Sequence, residues 1–128
     1  MRSLKVHFTS ARQNWKTPKA FYQALDAEFS FDFDPCPPKP QFDGLKVDWG
    51  GANYINPPYN EVTLWVKKAF EEWKKGKVCV MLIPSRTDTR WWHEYVMKAT
   101  EIRFVKGRLR FDEHKNSAPF PSAIVVFK

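Results

Sequence analysis

The 128-residue chain has only two cysteines and three histidines, and no apolar run reaches the length of a membrane span. Cys36 and Cys79 are too few and too differently placed for a disulfide framework. Cys79 lies inside the apolar run KVCVMLIP and reads as a core residue. His7, His93 and His114 show no metal-ligand spacing with either cysteine. No metal site is therefore expected, and the chemistry fits a reducing, intracellular setting. The first residues, MRSLKVHFTSARQ, lack the apolar centre of a secretory signal, which predicts a cytoplasmic location. Acidic residues are also in deficit. Against 14 Asp and Glu stand 21 Lys and Arg, giving a net charge of +7. That excess points to a polyanionic partner, nucleic acid ahead of an anionic membrane surface, with general solubility as the plainer reading.

What is present suffices for one core: 43% of residues are hydrophobic and 16% aromatic. Residues 1–14 read as a basic arm and residues 15–128 as a single domain. TPKAFYQALDAEF carries helix start signals, with Thr17 as N-cap, Pro18 at the first helical position, and Phe21, Leu25 and Phe29 on one face. FDFDP alternates as a short strand does. Residues 36–50 read as a loop, and ANYI as a strand. A helix follows over 61–75, capped by Asn60, striped with Val62, Val66, Ala69, Phe70 and Trp73, and ended by Gly76. KVCVMLIP reads as a strand covered on both faces. A further helix, capped by Thr87 or Asp88, is predicted to run to about Ala99. EIRFVKG and RLRF read as strand, glycine bend, then strand or extended arm, and SAIVVFK as a last strand. Strands alternating with helices predict an α/β fold: a parallel sheet with helices on both faces, ending in an antiparallel strand.

In such sheets ligands bind beyond the carboxyl ends of the strands. Three such ends carry polar or rigid residues: Asp34 with Cys36, Asn56 to Tyr59, and Pro84 to Thr87. The middle one reads NYINPPYN. Its paired prolines remove two backbone donors and hold Asn56 and Pro57 extended. A stiff loop bearing an amide, carbonyls and an aromatic ring suits a flat, hydrogen-bonding ligand.

With NPPY after a strand, the stretches WKTPKAFYQAL, FDFDPCP, FDGL, YINPPYN, IPSRTDTRWWHE, RFVKGRLRF and NSAPFPSAIVVF together resemble the short phage-type DNA adenine-N6 methyltransferases. The resemblance spans roughly residues 15–127. It implies a reduced Rossmann-like methyltransferase fold, with a mostly parallel sheet, helices on both faces and an antiparallel C-terminal strand. It also implies S-adenosylmethionine as cofactor, DNA as partner and, for a phage-encoded chain, the host cytoplasm as location. Asn56, Pro57, Pro58 and Tyr59 would be catalytic. The Asn56 side-chain oxygen and the Pro57 carbonyl would accept the hydrogens of the adenine N6 amine, and Tyr59 would stack on the flipped-out base. The cofactor would be held by Trp15, Thr17, Pro18, Asp34, Pro35, Cys36, Asp43 and Asn56. Arg86, Arg90, Lys106, Arg108, Arg110 and Phe120 would meet nucleic acid; Arg103 falls in the same basic stretch. One of Trp91 and Trp92 is expected near the surface, because one helix cannot turn both into the core.

The chain departs from fuller methyltransferases in two ways. DPCPPKPQ stands where a glycine-rich turn is usual, and only 22 residues separate Asp34 from Asn56. Asp43 is the first choice for a ribose contact and Asp48 the second. The shortening leaves the first strand on an open edge, which predicts a homodimer. Two alternatives stay open: the same chemistry on RNA, cytosine N4 or a protein glutamine, and a catalytically weak module that only binds nucleic acid.

Overall fold

The apolar run from Val78 to Pro84 forms the central strand of the sheet, and six of its seven residues are buried. The computed structural model describes residues 16–110 and 119–128, so the expected basic arm and Trp15 lie outside the described residues. In chain order the elements are α1 (Lys19–Phe29), β1 (Ala52–Ile55), a 3-10 turn (Tyr59–Glu61), α2 (Val62–Lys74), β2 (Val78–Pro84), α3 (Arg90–Glu94), a second 3-10 turn (Val96–Lys98), β3 (Glu101–Phe104) and β4 (Ser122–Phe127). The strands lie in the order β1-β2-β4-β3. β1 runs parallel to β2, with Ile55 opposite Met81. β4 is antiparallel to both β2 and β3.

The α/β class and the antiparallel last strand agree with the sequence. The mostly parallel pairing does not: two of the three pairings are antiparallel. β4 enters between β2 and β3, so β1, β2 and β3 point the same way but β3 never touches a parallel neighbour. FDFDP also falls short of a strand. It makes one parallel bridge, Phe33 to Asn53, on the outer side of β1. Asp32 N donates to Ala52 O (2.8 Å) and Tyr54 N to Phe33 O (3.1 Å). Pro35, Pro37 and Pro38 then remove the donors that would extend the ladder.

Alternation along β2 and β4 divides the core. Cys79, Met81, Ile83, Ala123, Val125 and Phe127 face α2 and α3, with Val62, Trp65, Val66, Ala69, Trp92 and Val96 against them. Val80, Leu82, Ile124 and Val126 face α1, where Leu25 is buried and Phe21, Tyr22 and Phe29 pack around it. Helices thus cover both faces. Gly76 ends α2 with φ +98, but Asn60 is not its cap: a 3-10 turn precedes the helix, and Glu61 stands at the cap position. α3 is shorter than expected. Thr89 caps it by accepting from Trp92 N (3.3 Å), and the chain leaves helical geometry at Tyr95. Trp92 is buried and Trp91 half-buried. No helix among the described residues is long and apolar enough to cross a membrane.

Segment 36–50 is a loop, as expected, but it sends side chains into the core. Trp49 stacks on Trp65 (6.3 Å between centroids) and donates from Nε1 to Gly44 O (2.7 Å). Cys36 is buried beside them, with Leu45 and Val47 packed against the cluster. At the amino end of β2, buried Glu72 receives Lys77 (2.5 Å), Lys75 (3.0 Å), Lys68 (3.1 Å) and Trp49 N (3.1 Å). Burial would raise its pKa, but these donors outweigh that and hold it at about 2. A depressed carboxyl stabilises the fold above its ordinary pKa of 4.5 and loses that contribution as pH falls from there towards 2. Glu72→Gln is therefore expected to cost about 2 kcal/mol at neutral pH. Urea unfolding at pH 5 and pH 3 should show wild type losing more stability over that interval than the variant. Equal losses would assign acid sensitivity to other carboxylates.

Candidate active site

Because the Phe33 bridge, β1 and β2 run parallel, Asp34, Asn56 and Ser85 leave the sheet on one rim. The chain before α1 reaches across this rim. Thr17 is not the N-cap that the sequence predicts: Pro18 occupies that position and no side chain caps the helix. The Thr17 hydroxyl is engaged instead by Tyr54 Oη (2.6 Å) and by Asn56 Nδ2, which donates to it (3.1 Å). On the other side of the amide, Tyr59 Oη donates to Asn56 Oδ1 (3.2 Å). The Asn56 amide is thus gripped at both ends, and its oxygen and nitrogen have fixed directions. Burial pushes the phenols of Tyr54 and Tyr59 far above their ordinary value, so both keep their protons. Pro57 and Pro58 are buried beneath the loop. Phe120 is buried edge-on against the Tyr59 ring (4.8 Å, 85°).

Asp34 accepts from Cys36 N (2.9 Å). Burial raises its carboxyl to about 6, with the Cys36 N–H pulling the other way. None of the ion pairs among the described residues involves it. Asp43 is brought to the same region through its neighbour. A Cβ on Gly44 would overlap the Pro35 carbonyl oxygen and stand 2.8 Å from Trp65 Cη2, so the FDGL backbone lies directly on Pro35. Asp43 Oδ1 accepts from Leu45 N (3.0 Å), which fixes the turn. Asp48, five residues on, is carried to the opposite end of the sheet, where it pairs with Lys75 (3.5 Å) beside Glu72. That position removes it as a rim residue.

The model of the DNA N-6-adenine-methyltransferase (Dam) family matches residues 6–127. The chain belongs to this family. It is also similar to a DNA N-6-adenine-methyltransferase of Escherichia phage T1, at 27% identity over 116 residues, covering 80% of this chain and 49% of that protein. The chain thus spans about half the length of this relative. No solved structure matches it.

In this Dam-family chain the expected nucleic-acid residues separate into groups. Arg86, Arg90, Lys106, Arg108 and Arg110 are exposed. Arg90 lies 3.7 Å from Glu94. Arg103 points elsewhere: it forks onto Glu28 (2.7 and 2.6 Å) and Glu101 (2.8 and 3.1 Å), tying β3 to α1. Its charge is spent on structure. Tyr54 was missed as a site residue because it sits inside a strand pattern. Its hydroxyl, placed two residues before the motif asparagine on a face shared with α1, is the signal that could have found it. No group of three or more His, Cys, Asp or Glu among the described residues is arranged to hold a metal ion.

Proposed function

We propose that the chain transfers a methyl group from S-adenosylmethionine to the N6 amine of an adenine flipped out of DNA, within a reduced Rossmann-like methyltransferase architecture. The observation that carries this is the Asn56 amide held between Thr17 and Tyr59 at a strand end. An adenine amine is a poor nucleophile because its lone pair is delocalised into the ring. Asn56 Oδ1 and the Pro57 carbonyl would accept its two hydrogens, drawing the nitrogen towards tetrahedral geometry and releasing the lone pair. An amide oxygen accepts two hydrogen bonds, so Tyr59 and the amine are compatible partners for it. Acceptors already aimed at a nitrogen that gains positive charge favour the transition state over the ground state. Tyr59, wedged by Phe120, would stack on the base.

The residues at the rim fit the cofactor. A partly buried carboxylate outside every ion pair of the described residues is suited to an ammonium group, and Asp34 offers one. S-adenosylmethionine, when bound, supplies the electrophilic methyl group. Thr17 and Pro18 would flank its methionine end, Pro35 and Cys36 would line the floor beside Asp34, and Asp43 would meet the ribose. The exposed cations would neutralise DNA phosphates.

Incubating the protein with unmethylated DNA and S-adenosylmethionine, then digesting to nucleosides for mass spectrometry, tests the reading. N6-methyladenine is expected; N4-methylcytosine, or no methylated base, would overturn it. A pH dependence follows as well. The Asp34 carboxyl is charged above about 6 and neutral below it. Cofactor affinity is therefore expected to weaken as pH falls through 6. Asp34→Asn should lower affinity at pH 7.5 by roughly tenfold and flatten that dependence. Calorimetric titration at pH 5, 6 and 7.5 measures both, and a wild-type affinity independent of pH would remove Asp34 from the cofactor site.

A further inference from the structure

Phe104, the last residue of β3, has 65% of its surface exposed, more than any other exposed large hydrophobic among the described residues. It is not a loose side chain. Its ring stacks on Trp92 (6.4 Å, 24°), which is 2% exposed and in turn touches Trp91 (5.9 Å). The buried indole forms a pedestal beneath an exposed phenyl ring. The register places that ring on the catalytic rim. Phe104 pairs with Ala123, and Ala123 with Ile83, two residues beyond the Met81 that pairs with Ile55. Phe104 therefore stands level with the Asn56–Pro57 turn, three strand spacings away, or roughly 14 Å.

The surroundings are cationic. Ser85 N donates to Pro121 O (2.9 Å) and Val105 N to Ser122 O (3.0 Å), so Arg86 and Lys106 follow directly from the two segments that flank the start of β4. Both side chains are exposed. A second copy of the chain docked here would bring like charges together, whereas a nucleic acid would complement them.

We propose that Phe104 is a DNA-contacting aromatic that packs against the bases flanking the flipped adenine, with Arg86 and Lys106 on the adjoining phosphates. This rests on the proposed function. Extruding a base leaves its neighbours unstacked, and an apolar wedge refills the lost contact. Trp92 holds the ring in place beforehand, so little side-chain freedom is lost on contact.

The test compares wild type, Phe104→Ala, Phe104→Gln and Phe104→Trp on duplex DNA. N6-methyladenine formation, salt dependence of binding, melting and sedimentation are measured for each. Phe104→Ala and Phe104→Gln are expected to lose about tenfold or more in duplex methylation. Their melting temperature and the slope of affinity against salt should be unchanged, because the phosphate contacts remain. Phe104→Trp should recover most of the rate. Wild-type methylation by the alanine and glutamine variants overturns the proposal. So does failure of tryptophan to rescue, or a change in sedimentation that makes this face a contact between copies. If wild type itself makes no N6-methyladenine, the function reading fails instead.

Discussion

Asn56→Ala is expected to lower methyl transfer by on the order of a hundredfold or more while cofactor affinity stays within a few-fold. The substitution removes the acceptor Oδ1 and the Nδ2 donor that holds Thr17. Thr17 keeps its bond to Tyr54 Oη (2.6 Å), so the segment before α1 has a second anchor and need not leave the rim. The main loss should therefore fall on the chemical step. Asn56→Asp keeps an acceptor towards the amine but turns the donor facing Thr17 into another acceptor, and should fall between the two. Single-turnover rates at saturating cofactor, read beside calorimetric affinities, make the measurement. Near-normal turnover by the alanine variant would mean that another group polarises the amine.

Gly44→Ala is expected to be the most damaging small substitution. The added methyl would meet the Pro35 carbonyl, a backbone atom that cannot rotate aside, and the tip of the Trp65 ring. To make room, segment 36–50 must lift, breaking the Trp49 Nε1 bond to Gly44 O and parting the Trp49–Trp65 stack. Overpacking of this kind, with partial loss of a tryptophan from the core, costs on the order of 3 kcal/mol. That is a large share of a small domain's stability, and should lower the melting temperature by roughly 10 °C. A thermal melt indistinguishable from wild type would show that the two segments separate without cost. The prediction bears on the site too, because this contact seats the Asp43 turn on Pro35, next to Asp34.

The parts of the fold that repeat at a regular interval were legible in the sequence. ANYI is β1, KVCVMLIP contains β2, and α2 carries its predicted stripe. The three-ended rim followed from strand order alone. Contacts made by single residues left no periodic trace. Trp49 and Gly44 sit in a stretch rich in proline and charge, which reads as solvent-facing although its aromatic ring is core. Glu72 looks like an ordinary charged helix residue until three lysines converge on it. Asp43 and Asp48 offer the same chemistry, and the turn after Asp43 sets it against Pro35 while Asp48 goes to Lys75 at the other end of the sheet. For Thr17 the local rule favoured a cap, but Tyr54 and Asn56, distant in sequence, outbid the helix for its hydroxyl. Of the tryptophan pair, Trp92 is buried and Trp91 half-buried against the same core, and the exposed ring is Phe104.

The late position of β4 in the chain has a consequence for biosynthesis. Residues Ser122–Phe127 are all buried and, among the described residues, form the strand that joins β2 to β3. A nascent polypeptide that has emerged only as far as Phe120 carries β1, β2 and the three covering helices, but its sheet lacks β4. β3 then has no partner, and one edge of β2, the most apolar segment, stays unsatisfied. Closure must wait for long-range pairing, the slowest kind of contact to form. Until those six residues arrive, the ribosome-bound chain presents an adhesive strand edge, the state in which a holdase chaperone would engage it.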